Sequence, residues 1–160
     1  MSANQHQSAP SGIGGWLILV AIGLCLTPLR IGAEIIQGAR ALEPVAWRAV
    51  TTPGSPAYHS LLGPLIVGEM VANVALLAWT CVLLYLFFTT RRAFPRAMIG
   101  FLIVRVAIQM ADIFVARSIP VAAASIGPRV YGSVGANLLV VFVWVPYFLK
   151  SRRVAATFVH

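Results

Sequence analysis

Arg105, Gln109 and Asp112 sit at steps of four and seven in the apolar run 97–116, AMIGFLIVRVAIQMADIFVA. At about 100° per residue, those steps put all three side chains on one narrow helix face. A charge at membrane depth costs at least a few kcal/mol unless it is paired or wetted, so this face cannot look at lipid. Other parts of the chain repeat the pattern. Arg30 and Glu34 lie four apart near the end of the first apolar run, Glu69 and Asn73 lie four apart near the start of the second, and Asn137 lies in the fourth. Such residues can close ion pairs that fix helix register, or they can bind an ion or a polar ligand. They do not make a reaction centre. No nucleophile beside a base, no metal-ligand set and no phosphate-binding loop can be put together from them. The spans hold no histidine, which argues against a haem gripped by two imidazoles, and His59 stands alone in a connector. No catalytic residue, cofactor or metal is expected.

Composition sets the elements that must carry these side chains. Of 160 residues, 59% are hydrophobic and 10% are charged. Mean hydropathy is +0.87, outside the range of soluble globular domains. Apolar runs at 12–36, 64–88, 97–116 and 131–149 are each long enough to cross a bilayer, which takes about 20 residues. They leave only short connectors, so one membrane domain is expected. The fold class is all-α: an integral-membrane, antiparallel bundle of four transmembrane helices.

Several residues predict local detail. Pro28 removes a backbone donor inside the first run and predicts a kink near Gly23 and Leu24. Gly12, Gly14 and Gly15 ahead of Trp16 predict a close helix approach or a tight turn, with Trp16 as an interfacial anchor. Arg30 and Glu34 read either as a helix-end pair reaching for the interface or as members of a buried polar cluster. The long connector 37–63 is punctuated by prolines and glycines around a short helix at 45–50, with Trp47 and Tyr58 resting on the membrane surface. Arg91, Arg92 and Arg96 fill a brief link, so the second and third spans are antiparallel neighbours. Gly132, Ser133, Gly135 and Ala136 give the fourth span a small-residue surface suited to tight packing. Cys25 and Cys81 lie in different runs and read as small hydrophobes rather than a disulfide.

The ends and the charges fix orientation. Residues 1–11 are polar and lack a basic n-region, so they read as a disordered tail before a retained span. The net charge of +8 is carried by residues next to the ends of apolar runs, which is the placement of topology signals and not of a nucleic-acid surface. Arg91, Arg92, Arg96, Lys150, Arg152 and Arg153 share one side with no acid, against Arg40, Arg48, Arg117 and Arg129 with Glu43 on the other. Both termini are therefore expected in the cytoplasm, with 150–160 as a basic tail and 37–63 as a periplasmic loop. Every span then contributes a polar side chain to the outer half of the bundle.

Nearly the whole chain from Gly12 onward also resembles a known family. The residues that carry the resemblance run from Gly12, Ile13, Gly14, Gly15, Trp16 and Leu17 through Pro28, Leu29 and Arg30 to Glu69 with Asn73. They continue with Arg91, Arg92, Ala93, Phe94 and Pro95, and close with Trp144 to Phe148, Ser151 to Val154 and Thr157 to Val159. This series resembles the bacterial membrane family catalogued as domain of unknown function 2569, and the closing stretch is its most specific part. The resemblance implies a small four-span protein of the bacterial inner membrane with no established activity. It also implies that 144–159 is more than an orientation tail.

Two functional readings follow. In the first, the protein is a non-enzymatic accessory or interaction protein, its bundle locked by the polar network and its tail presented to a partner. In the second, it is a small oligomeric transporter or channel that uses the Arg, Glu and Asp cluster from the outer side. The partners implied are the lipid bilayer and either a second copy of the chain or another membrane protein, with no nucleic acid.

Overall fold

The structure, a computed structural model, describes residues 12–124 and 126–160. The tail expected at 1–11 lies outside the described residues. The elements in chain order are α1 (Trp16–Arg40), α2 (Pro44–Thr51), α3 (Leu62–Phe88), α4 (Phe94–Arg117), α5 (Pro120–Ala123), α6 (Pro128–Lys150) and α7 (Arg152–Thr157). Helices α1, α3, α4 and α6 have 23 to 27 residues and are long and apolar enough to cross a membrane. At 1.5 Å per residue they reach roughly 35–40 Å, against a hydrocarbon core of about 30 Å. The chain is a multi-pass, all-helical membrane protein with four candidate spans packed against one another.

Proline starts many of these helices. It occupies the first turn of α2, α4, α5 and α6, where its missing N–H is one of the donors that no helix satisfies internally. Pro28 is different, because it lies inside α1, yet α1 is one unbroken helix through it. The Thr27 hydroxyl donates to the Gly23 carbonyl at 2.8 Å, beside the Leu24 carbonyl that Pro28 leaves without its usual donor.

Helix α1 packs on α3, α3 on α4 and α4 on α6, with α2 folded against α3. Trp47 of α2 lies against Gly63, where an added Cβ would come within 3.6 Å of the indole, so this ring packs on α3. Gly100 plays the same part between α4 and α3, giving room to Trp79. By contrast, an added Cβ at Gly132 or Gly135 would meet open space, so these two glycines of α6 are not packed against another helix of this chain, whereas Ser133 between them bonds to α4. Helices α1 and α6 make no backbone contact comparable to the other neighbouring pairs.

The buried apolar core sits toward one end of the bundle. It gathers Leu17, Val20 and Leu24 from the first half of α1, Leu83 and Phe87 from the last half of α3, Phe94, Phe101 and Leu102 from the first half of α4, and Phe148 near the end of α6. Trp16 and Trp144 close the same end of α1 and α6, edge to face with ring centres 6.3 Å apart.

The C-terminal stretch, expected as a basic tail, packs into this core. Val154 and Phe158, four apart, are buried, and Phe158 stacks on Phe94 at 4.7 Å. The Thr157 hydroxyl accepts from the Gly12 N–H at 3.1 Å and donates to the Gly12 carbonyl at 3.2 Å. Arg92 binds the last residues twice, its backbone N–H to the His160 carbonyl at 2.6 Å and its Nε to the Val159 carbonyl at 2.6 Å. Gly14 and Gly15 admit the Arg153 guanidinium, which would lie 2.6 Å from a Cβ at Gly14, and Gly15 itself has φ +56°. The tail is therefore a latch that ties Gly12 and the C-terminal residues to the α3–α4 link. Phe158→Ala should lower stability by about 3 kcal/mol, as for other buried phenylalanines, and expose 151–160 to protease in detergent-solubilised protein. Urea titration and limited proteolysis read the two effects.

Candidate functional site

The other half of the bundle is built differently. Where α1, α3, α4 and α6 leave the apolar core they enclose a cavity of about 390 Å³. All eight polar residues singled out in the sequence line it: Arg30 and Glu34 from α1, Glu69 and Asn73 from α3, Arg105, Gln109 and Asp112 from α4, and Asn137 from α6. Helical spacing is the cause, since steps of three, four and seven hold each set on the face its helix turns inward. Gln37, Gly38, Ala41 and Ile66 carry the lining to the ends of α1 and α3 that join through the 41–61 connector. The cavity thus reaches the end of the bundle opposite Gly12 and the C-terminal residues.

One wall is cationic. Arg30 donates through Nε to Glu34 Oε1 at 3.0 Å, and Arg105 Nη2 lies 3.7 Å from the same oxygen. The second contact crosses the bundle interior, because α1 and α4 are separated by α3 in the packing order. The Arg105 side chain is 16% exposed, against 55% for Arg30 and 38% for Glu34, so Arg105 is the charge most dependent on this partner. The first pair is the ordinary i, i+4 helix contact and contributes a few tenths of a kcal/mol.

The cavity's other two carboxylates are Glu69 on α3 and Asp112 on α4. Glu69 and Asp112 have no ion pair or hydrogen bond among the described residues, and neither has Asn73. They are not sealed in, because no fully buried side-chain nitrogen or oxygen among the described residues lacks a partner. These carboxylates open onto the cavity, and a carboxylate at that depth requires water or a ligand.

Between α4 and α6 the polar groups form a directed chain. Asn137 Nδ2 donates to Gln109 Oε1 at 2.7 Å, Gln109 Nε2 donates to Ser133 Oγ at 2.8 Å, and the Ser133 hydroxyl donates to the Val130 carbonyl at 2.8 Å. Gln109 is therefore tied into the α4–α6 packing through one N–H and its carbonyl oxygen, and keeps a second N–H. Ser133, expected only as a small packing residue, and Gln37, expected only as the start of a connector, are thus part of the site. Both carried a signal: Ser133 precedes Asn137 by four, and Gln37 follows Glu34 by three. Sequence reasoning also missed a second cavity, of about 220 Å³, between α1, α4 and α6. Arg30, Arg105 and Asn137 line both cavities.

Among known proteins, residues 10–159 match the family model described as Protein of unknown function (DUF2569). No curated protein and no solved structure matches the chain. Helix association in membranes draws about 0.6 to 2 kcal/mol from each interhelical hydrogen bond. Gln109→Leu should therefore destabilise the bundle by about 1 kcal/mol, and adding Asn137→Leu should cost less than the sum of the two single changes. A double-mutant cycle on thermal unfolding in detergent measures it.

Proposed function

The chain belongs to the DUF2569 family, and from that premise we propose that it is a non-catalytic membrane protein whose spans enclose a vestibule for a small, charged polar ligand. The carrying observation is the pair Glu69 and Asp112, which line a cavity of about 390 Å³ and have no cation within ion-pair distance among the described residues. A network that only fixes helix register closes its charges on one another. Here the two guanidiniums share Glu34 while two further carboxylates face open space. The volume falls within the roughly 300–1,000 Å³ of small-molecule sites. The lining offers guanidiniums, carboxylates and amides but no nucleophile beside a base, which supports binding over chemistry.

We place the protein in the inner membrane of a bacterium with both termini in the cytoplasm, on the strength of the basic residues that crowd the α3–α4 link and the C-terminal end. The vestibule then takes its ligand from the periplasmic side. Four spans alone enclose too little volume for a conduit, so a flux function requires a second copy of the chain or another membrane protein.

Native mass spectrometry of the protein released gently from its own membrane tests the reading. A small species bound to the unmutated protein should be lost in Glu69→Gln and in Asp112→Asn, with stability changed by no more than about 0.5 kcal/mol, because neither carboxylate has a partner to strand. A stoichiometric second protein with no small species bound would contradict the vestibule and favour the accessory reading. Loss of folded protein in both variants would mark the carboxylates as structural.

A further inference from the structure

The two cavities differ in chemistry and meet at one place. The larger carries five charged and four amide side chains among apolar ones such as Ile66, Met70 and Ile108. The smaller is lined by Leu19, Leu24, Phe101, Leu102, Trp144 and Phe148 among other apolar groups, and its polar lining is the Thr27 hydroxyl with the shared Arg30, Arg105 and Asn137. A polar chamber and an apolar groove that share two guanidiniums match an amphiphile with an anionic group at the junction. A water-soluble ion would leave the groove empty, and a hydrocarbon would leave the arginines unanswered. Resting on the vestibule reading, we infer that the occupant is a phospholipid of the phosphoethanolamine class, with its phosphate at Arg30 and Arg105, its ammonium toward Glu69 and Asp112, and an acyl chain in the groove.

The groove is placed to admit such a molecule from the side. It lies between α1 and α6, the adjacent spans that do not pack closely, and its rim residues Leu19 and Val140 are 52% and 38% exposed. Gly23 contributes no side chain to it, and a Cβ added there would meet open space. The groove runs from the shared arginines, near the middle of α1 and α4, toward Trp144 and Phe148 at the end that holds the apolar core, so a bound lipid lies with its headgroup in the cavity and its chain toward that end.

Donor and acceptor chemistry selects the headgroup. A guanidinium carries five N–H donors, and Arg30 commits only Nε to Glu34, which leaves both arginines with donors for phosphate oxygens. A primary ammonium brings three donors to the two partnerless carboxylates. A trimethylammonium brings none, and a glycerol headgroup brings no cation. Cavity guanidiniums and carboxylates leave one excess negative charge when all are ionised, two against three, and a zwitterionic headgroup adds no further net charge to it.

The test is reconstitution of the full chain into vesicles of equal parts phosphatidylcholine, phosphatidylethanolamine and phosphatidylglycerol, followed by native mass spectrometry of the lipids it retains. The expected result is one phosphatidylethanolamine per chain, enriched roughly tenfold over phosphatidylcholine, the scale of a charge-assisted hydrogen bond. Arg105→Gln should reduce retention of all three lipids, and Glu69→Gln with Asp112→Asn should erase the preference for phosphatidylethanolamine over phosphatidylcholine. Gly23→Leu fills the groove without touching the polar cavity. It should return retained lipid to the bulk ratio while soluble O-phosphoethanolamine, titrated calorimetrically, binds as it does to the unmutated protein. Retention at the bulk ratio by the unmutated protein, preference for phosphatidylglycerol, or no effect of Gly23→Leu would overturn the inference. Binding of soluble O-phosphoethanolamine without lipid enrichment would overturn the lipid and leave the vestibule standing. A dimer with the groove filled by a second copy would also overturn the lipid.

Discussion

A charge placed in hydrocarbon must find a counter-charge or water, and the penalty for finding neither is a few kcal/mol or more per group. Arg30, Glu34, Glu69, Arg105 and Asp112 all lie within helices long enough to span a membrane. None can face lipid, so the helices that carry them must turn those faces to one another. That requirement orders the molecule more than its apolar contacts do, because lipid solvates leucine as well as a protein core does and gives apolar side chains little reason to be inside. The many exposed leucines, valines and phenylalanines on the outer faces show the same indifference.

The bundle answers the requirement by dividing its length. At the end holding Gly12 and the C-terminal latch, interior positions are aromatic and aliphatic, and Phe87, Phe94, Phe148 and Phe158 interlock there. At the other end they are polar and the helices stand far enough apart to leave a cavity. Tight packing at one end holds the spans in place, so that the other end can stay open without collapsing. The latch contributes by fixing the C-terminal end of α6 to Gly12, which adds to the Trp16–Trp144 contact between two helices whose backbones do not pack closely.

Much of this was legible in the residues. Spacing of four between Arg30 and Glu34, Glu69 and Asn73, and Arg105 and Gln109 states which face turns inward, and a span length of about 20 residues states where each helix lies. The latch was not legible from its charges, since Lys150, Arg152 and Arg153 look like topology signals. Its evidence is the pair Val154 and Phe158 with Thr157 between, three residues too few to give a period. The groove between α1 and α6 was hidden for a different reason. It arises from two helices whose backbones do not pack closely, and a loose contact leaves no mark in a hydropathy pattern. Which carboxylates lack a partner was equally invisible, because Glu34 and Glu69 have the same local spacing and differ only in what lies across the cavity.

The account rests on the cavity being wet and open at the end of the α1–α3 connector. The direct measurement is reactivity of a thiol at Asn73→Cys, in a background with Cys25→Ala and Cys81→Ala, toward a charged, membrane-impermeant reagent. Leu83→Cys, at a fully buried position of the same helix, serves as the reference. The account predicts rapid modification at position 73 from the connector side of sealed vesicles and none at position 83. Equal protection of both positions would contradict it, since a dry interior at Asn73 would leave Glu69 and Asp112 with neither water nor a counter-charge.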